Sequence, residues 1–123
     1  MKQREGDQPL PTITEGVLDI QSRVIQDIIS ETYIAHDRPA SKLITDITER
    51  REVGIIRYGT ALQPNNGRDA LRDAYEEAID LCMYLKQMIV ERQMVRGVAG
   101  TLEIAYQQAL VLAVYLKGLE RET

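Results

Sequence analysis

The feature that most constrains the fold is a helical pattern that occurs twice near the end of the chain. The stretch LRDAYEEAIDLCMYLK at residues 71–86 is followed by LEIAYQQALVLAVYLK at residues 102–117. Between residues 71–91 and 102–122, nine of 21 positions are identical, and seven of those nine are Leu, Ala or Tyr. Because these are residues that helices use for packing, the repeat predicts two related helices with a common packing surface.

The two copies differ in their acidic residues. The first copy has Glu76, Glu77 and Asp80 where the second has Gln107, Gln108 and Val111. On a helical projection these three acids lie with Asp69 and Asp73 within roughly 100° of arc. Two interpretations stay open: a solvent-facing helix with acids near its N-terminus, where the helix dipole favours them, or a carboxylate cluster for a divalent cation. In the second case, Glu77 and Asp80 are one turn apart and supply two oxygen ligands.

Periodicity and helix-breaking residues predict four helices, and strand patterns are nearly absent. The first predicted helix is capped by Thr12 or Thr14 and continues past Ile28 towards Tyr33, and the second is capped by Ser41 and ended by Gly59. The third is capped by Asp69 and ends near Arg96. The fourth begins at Thr101 and ends near Arg121. Pro39 should exclude Arg38 from the second helix. The predicted fold is therefore all-α, a four-helix bundle-like domain over residues 12–123 that follows a flexible arm at residues 1–11.

Composition excludes several classes of protein. The formal charge of −4, without a cluster of Lys and Arg, argues against a duplex nucleic-acid partner. A single Cys82 excludes an internal disulfide, and a single His36 excludes a multi-histidine metal site within one chain. No signal peptide or membrane-spanning run is visible, so we expect a cytoplasmic protein without a membrane partner.

The fourth predicted helix is apolar around most of its circumference, because Val111, Ala113 and Val114 add to the packing side. A homodimer or higher homo-oligomer would cover this surface. The alternative is that this helix is the central core helix of a monomer.

One further pattern suggests a family. Glu49-Arg-Arg-Glu52 precedes, by 24 residues, Glu77-Ala-Ile-Asp80. This arrangement resembles the E-x-x-E and E-x-x-D metal-binding signature of the all-α nucleoside triphosphate pyrophosphohydrolases, the MazG-like and dUTPase-like group. Residues 43–92 also look like small phage and actinobacterial proteins of this type.

The resemblance implies a function and a site. It implies that Glu49, Glu52, Glu77 and Asp80 hold Mg²⁺ or Mn²⁺, with Glu77 and Asp80 catalytic and Asp73 and Glu76 as further candidate ligands. The reaction would cleave a nucleoside triphosphate or modified nucleotide to a monophosphate and pyrophosphate. The candidate nucleotide-binding residues are Arg57, Tyr58, Arg68, Arg72, Tyr84 and Lys86.

Two other functions stay open at this point. One is a non-catalytic protein, of the kind that phages encode, that captures a nucleotide signal and counters host defence with the same kind of pocket. The other is a purely structural module for helical oligomerisation.

Overall fold

The computed structural model describes residues 8–31, 38–92 and 99–120. Over these ranges the chain has four α-helices and no strand, which confirms the all-α class. The helices are α1 (Ile20–Ser30), α2 (Arg38–Tyr58), α3 (Ala70–Arg92) and α4 (Ala99–Leu119). The predicted continuation of the first helix beyond Ser30 is wrong, because Glu31 is extended. The predicted helix ends at Tyr33, Arg96 and Arg121 lie outside the described residues, and so does His36. None of the described helices is both long enough and apolar enough to cross a membrane.

The contacts of the chain divide it into two compact units. The α1–α2 unit comprises Pro9–Arg68, and the α3–α4 unit comprises Met1–Gln8 together with Asp69–Thr123. Helix α1 packs on α2 in the first unit, and α3 packs on α4 in the second.

Helix α1 begins later than the sequence predicts. Its N-cap is Asp19, whose carboxylate accepts a hydrogen bond from the backbone N–H of Ser22 at 2.9 Å. The preceding segment is not helical, because it bonds instead to the loop after α2: the amide side chain of Gln63 accepts from the N–H of Thr14 at 2.8 Å and donates to its carbonyl at 2.7 Å. The predicted cap at Thr12 or Thr14 is therefore wrong.

Helix α2 begins earlier than predicted and ends where predicted. It includes Arg38 and Pro39, so the expected cap at Ser41 is wrong. Proline is tolerated in a first helical turn because the N–H that it lacks has no partner within the helix there. At the other end, Gly59 has φ of 78° and its N–H donates to the Ile55 carbonyl at 2.8 Å, which confirms it as the C-terminal residue that stops the helix.

The start of α3 is held by side chains. Asp69 is its N-cap, as predicted, and accepts from the N–H of Arg72 at 3.1 Å. Gln8, which is 8% exposed, accepts a hydrogen bond from the Asp69 N–H and donates to Asp73 Oδ1 at 2.9 Å. The Gln8 amide thus satisfies the Asp69 N–H at the start of the helix. Because this amide is uncharged, it does not neutralise the negative charge of Asp73.

Helices α3 and α4 meet along the surface that the repeat shares. Ala78 and Ala109, which are equivalent in the two copies, are 5% and 3% exposed. The ammonium of Lys117 lies 5.1 Å from the ring centre of Tyr75 on α3, and in the equivalent contact Lys86 lies 5.1 Å from that of Tyr106 on α4.

These two contacts define how the helices are related. Tyr75 with Lys117 and Lys86 with Tyr106 pair the start of each helix with the end of the other, so the helices are antiparallel. Because each contact maps onto the other when the copies are exchanged, the pair has an approximate local two-fold axis. Not every apolar position that the copies share is buried in this contact, however: Leu81 and its equivalent Leu112 are 44% and 46% exposed.

Candidate functional site

Among the residues that the structure describes, Asp80 is a buried acid in the middle of α3. Asp80 is only 7% exposed. Within the described part of the chain, no hydrogen bond or ion pair reaches it. An unpaired buried charge is costly, because water no longer solvates it and no protein group replaces the water. Such a group points to a ligand that supplies the missing positive charge.

Asp80 lies away from the contact between α3 and α4. It follows Ala78 by two residues, which places it about 200° around the helix from that buried alanine. Glu77, one turn before Asp80, is exposed. The pair therefore combines one enclosed carboxylate with one that solvent reaches, on neighbouring turns of the same helix.

The other acids of α3 have local partners. Asp73 accepts the hydrogen bond from Gln8 at 2.9 Å. Glu76 forms an ion pair with Arg72 at 3.4 Å, one turn away on the helix. Of the three acids that the second copy of the repeat lacks, Asp80 is the one that is buried.

The first half of the predicted metal signature is on α2, in the other unit. Glu49 and Glu52 are both exposed, and Glu52 is 3.4 Å from Arg51 Nη1. Within each unit, no group of three or more His, Cys, Asp or Glu residues is placed to hold a metal ion among the residues described. The set of four carboxylates therefore remains a prediction, divided between α2 and α3.

Arg51 also takes part in a network that the sequence does not indicate. Its Nε donates to Asp19 Oδ2 at 3.1 Å, and the Ser22 hydroxyl donates to the same carboxylate at 2.9 Å. Burial raises the pKa of Asp19, but the hydrogen bonds from Ser22 and Arg51 and the charge of Arg51 outweigh it, so the pKa lies below the ordinary value. Asp19 therefore joins α1 to α2, and both of its oxygens are used.

The predicted nucleotide-binding residues of the α1–α2 unit already make contacts. The guanidinium of Arg57 lies 5.2 Å from the ring centre of Tyr58, which is 39% exposed. This pair, at the end of α2, is a cation beside an aromatic ring, the combination that a nucleotide's phosphate and base could use. Arg68 instead donates to the Pro9 carbonyl at 3.1 Å and so fixes the start of the unit.

The predicted residues of α3 do not share one surface. Tyr84 follows Asp80 by one turn and is 63% exposed, so it is placed to contact a ligand beside that carboxylate. Lys86 is two residues further on, about 200° around the helix from Tyr84. It faces α4 and contacts Tyr106. Lys86 and Tyr84 therefore belong to different surfaces of α3.

Lys86 lines an open groove between α3 and α4 that the sequence does not predict. Its volume is about 460 Å³, and it is widely open to solvent. The lining is mainly apolar, with Cys82, Met83 and Val90 on α3 and Tyr106 on α4. The groove forms only because α3 and α4 lie side by side, and the repeat alone does not specify how the two helices pack.

Comparison with known proteins gives no relative. No family model matches the chain, and neither a curated protein nor a solved structure does so. The resemblance to the all-α pyrophosphohydrolases therefore depends on the residues of the motif themselves.

Proposed function

We propose that the chain binds a divalent cation, Mg²⁺ or Mn²⁺, through Asp80 and Glu77 of α3, and that it uses this site to hydrolyse a nucleoside triphosphate or modified nucleotide. The observation that carries the proposal is the burial of Asp80, which is 7% exposed and has no protein partner in the described ranges. A bound cation would supply the charge that this carboxylate lacks.

The repeat supports the same proposal. At the position equivalent to Asp80, α4 has Val111, which is 50% exposed. The valine is thus exposed and the acid is buried, the reverse of the order that hydrophobicity favours. The helical scaffold accepts an apolar residue at this position, so packing alone gives no reason for an acid in α3.

The spacing of the two carboxylates suits this chemistry. Mg²⁺ prefers oxygen ligands and keeps some positions for water and phosphate oxygens, and its charge would offset that of the phosphates. Asp80, enclosed and held on a helix, would fix the position of the ion. Glu77, which solvent reaches, would contact the ion through one carboxylate oxygen, and its other oxygen would orient a water molecule toward the α-phosphorus and accept its proton. The bond between the α-phosphorus and its bridging oxygen would break, which releases pyrophosphate and a monophosphate.

One observation favours a second candidate, the capture of a nucleotide without hydrolysis. Glu52, from the other half of the predicted signature, contacts Arg51, which in turn bonds to Asp19. A carboxylate held by this arginine is less able to complete a catalytic set of four. Asp80 and Glu77 could then anchor a cation and its nucleotide while no water is activated.

The test measures pyrophosphate release with Mg²⁺ and a panel of NTPs and dNTPs. Asp80→Asn keeps the shape of the side chain and removes its charge. We expect it to lower the rate by at least about a hundredfold, because even residues outside the ligand set of a metal site contribute about 10–100-fold. Glu103→Gln on α4, which also removes one carboxylate, is the matched control and should leave the rate unchanged.

The other outcomes separate the two functions. If there is no release, but the wild type binds nucleotides in the presence of Mg²⁺ and returns them intact, with Asp80→Asn unable to bind, the site captures nucleotides. The panel for binding should include cyclic and ADP-ribose-type nucleotides. If the wild type neither binds nor hydrolyses any of them, both functions are wrong.

A further inference from the structure

The surface of α3 around Asp80 has two different halves. Glu76 and Glu77 occupy the turn before Asp80. The turn after it has Met83 and Tyr84, which are 47% and 63% exposed. Because residues three and four apart are neighbours on a helix surface, Asp80 lies between a charged half and an apolar half. A nucleotide has the same division, with charged phosphates at one end and an apolar, flat base at the other.

Tyr84 is not used in the packing of α3 on α4. Tyr75 and Tyr106 each contact a lysine of the opposite helix. By contrast, no hydrogen bond, ion pair or ring contact joins Tyr84 to another residue in the ranges that the structure describes. An exposed ring of this kind, one turn from a buried carboxylate, is a surface on which a base can stack.

A second polar residue lies on the same line of α3 as Asp80. Gln87 follows Asp80 by seven residues, or about two turns, and is nearly in line with it. At the two equivalent positions α4 has Val111 and Gly118. The copies therefore differ beyond the acidic turn as well, because α3 has an amide where α4 has no side chain.

The amide of Gln87 is held by a neighbouring residue. Its Nε2 donates to Glu91 Oε2 at 3.3 Å, one turn further along the helix. This bond leaves one N–H and the carbonyl oxygen of the amide for a ligand, the two groups with which a glutamine contacts the edge of a base. Met83 and Gln87 also line the open groove between α3 and α4, so there is space beside them.

We propose that this surface of α3 binds the base of the nucleotide, with Tyr84 stacked on its ring and Gln87 hydrogen-bonded to its edge. Along the helix axis, Tyr84 is about 6 Å and Gln87 about 10 Å from Asp80. The ribose, which joins the α-phosphate to the base, would span the first of these distances. The inference rests on the proposed nucleotide site and adds that the base is recognised together with the phosphates.

The first test compares two ligands by isothermal titration calorimetry in Mg²⁺. One is inorganic triphosphate. The other is the tightest-binding of four NTP analogues, in which a methylene group replaces the oxygen between the α- and β-phosphorus. The wild type should bind the nucleotide about tenfold to a hundredfold more tightly, the usual contribution of base stacking on an aromatic ring.

Substitutions of Tyr84 should change only the nucleotide affinity. Tyr84→Leu should remove most of the preference and leave the affinity for triphosphate unchanged, whereas Tyr84→Phe, which keeps the ring, should retain the preference. Tyr115→Leu is the matched control, because Tyr115 is the equivalent residue of α4 and is 69% exposed. It follows Val111 instead of Asp80, so its loss should have no effect.

The second test concerns the edge of the base. Gln87→Leu should weaken nucleotide binding by about threefold to tenfold, the usual contribution of a hydrogen bond, without changing the affinity for triphosphate. Gln107→Leu is the matched control. Gln107 is also exposed and donates to a glutamate one turn away, Glu103, at 3.1 Å, but it is on α4.

The results distinguish this inference from the proposed function. Equal affinity of the wild type for nucleotide and triphosphate would overturn the inference and leave the cation site intact. An effect of Tyr115→Leu as large as that of Tyr84→Leu would do the same. A wild type that binds neither ligand would overturn both. Circular dichroism verifies that each variant is folded.

Discussion

Asp19 and Asp80 are equally buried, at 7% exposure each, but their environments differ completely. Asp19, in the α1–α2 unit, accepts hydrogen bonds from the Ser22 backbone, the Ser22 hydroxyl and Arg51. Asp80, in the α3–α4 unit, has none in the described part of the chain. The comparison shows that buried acids can differ in role: Asp19 holds two helices together, whereas no hydrogen bond or ion pair joins Asp80 to another described residue.

The comparison of α3 with α4 leads to the same view of Asp80. The two helices keep the residues of their shared contact, since Ala78 and Ala109 are both buried and each Tyr receives a Lys from the other helix. They differ on the opposite side, where Asp80 corresponds to Val111. The repeat therefore separates the residues of the shared contact, which the two copies keep, from those of the opposite side, where the copies differ.

The largest effect that we expect comes from Asp80→Val, which gives α3 the residue of its copy. Measured in chelator, this change should raise the free energy of unfolding by about 1–4 kcal/mol, the range found when buried ion pairs are replaced by well-packed apolar residues. Urea denaturation gives the value. A loss of stability would mean that Asp80 has a structural partner and would remove the contrast with Asp19.

Asp19→Ala should have the opposite sign. It removes the N-cap of α1 and leaves Arg51 without its partner, so we expect a loss of about 1–2 kcal/mol in the free energy of unfolding. Asp27→Ala, an exposed acid later in α1, is the control and should change little. Equal effects of the two substitutions would contradict the structural role of Asp19.

The contribution of Asp19 should also depend on pH. Its pKa is lower in the folded protein than the ordinary aspartate value of about 3.9. The unfolded chain therefore takes up a proton first as the pH falls, and the stabilisation, fully present above the ordinary value, is lost as the pH falls through the lower folded pKa. The stability difference between wild type and Asp19→Ala should be constant from pH 7 to about 5 and should shrink below about 4. A difference that grows in acid would be incompatible with this account.

The smallest effects should come from the two Lys–Tyr contacts. Lys86→Met and Lys117→Met each keep most of the apolar stem and remove the charge over Tyr106 or Tyr75. Each should cost about 0.5–1 kcal/mol of stability, the usual range for an exposed cation–π contact. Lys117→Met should cost slightly more than Lys86→Met, because it also removes the exposed ion pair of Lys117 with Glu120 at 2.8 Å. A double-mutant cycle with Tyr106→Leu would isolate the contribution of the Lys86–Tyr106 contact. A coupling free energy of zero would show that this contact does not contribute to stability.

Local sequence signals predicted the elements that depend on neighbouring residues. Asp69 caps α3 and Gly59 ends α2 because caps involve residues within one turn. The start of α1 was wrong, since Thr14 bonds to Gln63, which is distant in sequence. Arg38 was wrongly excluded from α2, because the rule for residues before proline is a preference that the context of a first turn can override.

The burial of Asp80 could not be predicted for a similar reason. Helical periodicity placed it in an acidic stripe with Asp73 and Glu77, and a stripe of this kind is usually exposed. The difference between the repeats singled out three positions, but only the folded chain distinguishes Asp80 from Glu76, which has Arg72 as its partner. Which acid is left without a partner depends on tertiary contacts.

The most direct test of the central claim, that Asp80 is buried to hold a cation, is the effect of Mg²⁺ on stability. Urea denaturation of wild type and Asp80→Val, at one protein concentration, would be carried out in chelator and in excess Mg²⁺. The account predicts that Mg²⁺ stabilises the wild type, by about 2.7 kcal/mol when its concentration is a hundred times the dissociation constant, and leaves the more stable Asp80→Val unchanged. An equal response of the two proteins to Mg²⁺, or none in the wild type, would contradict it.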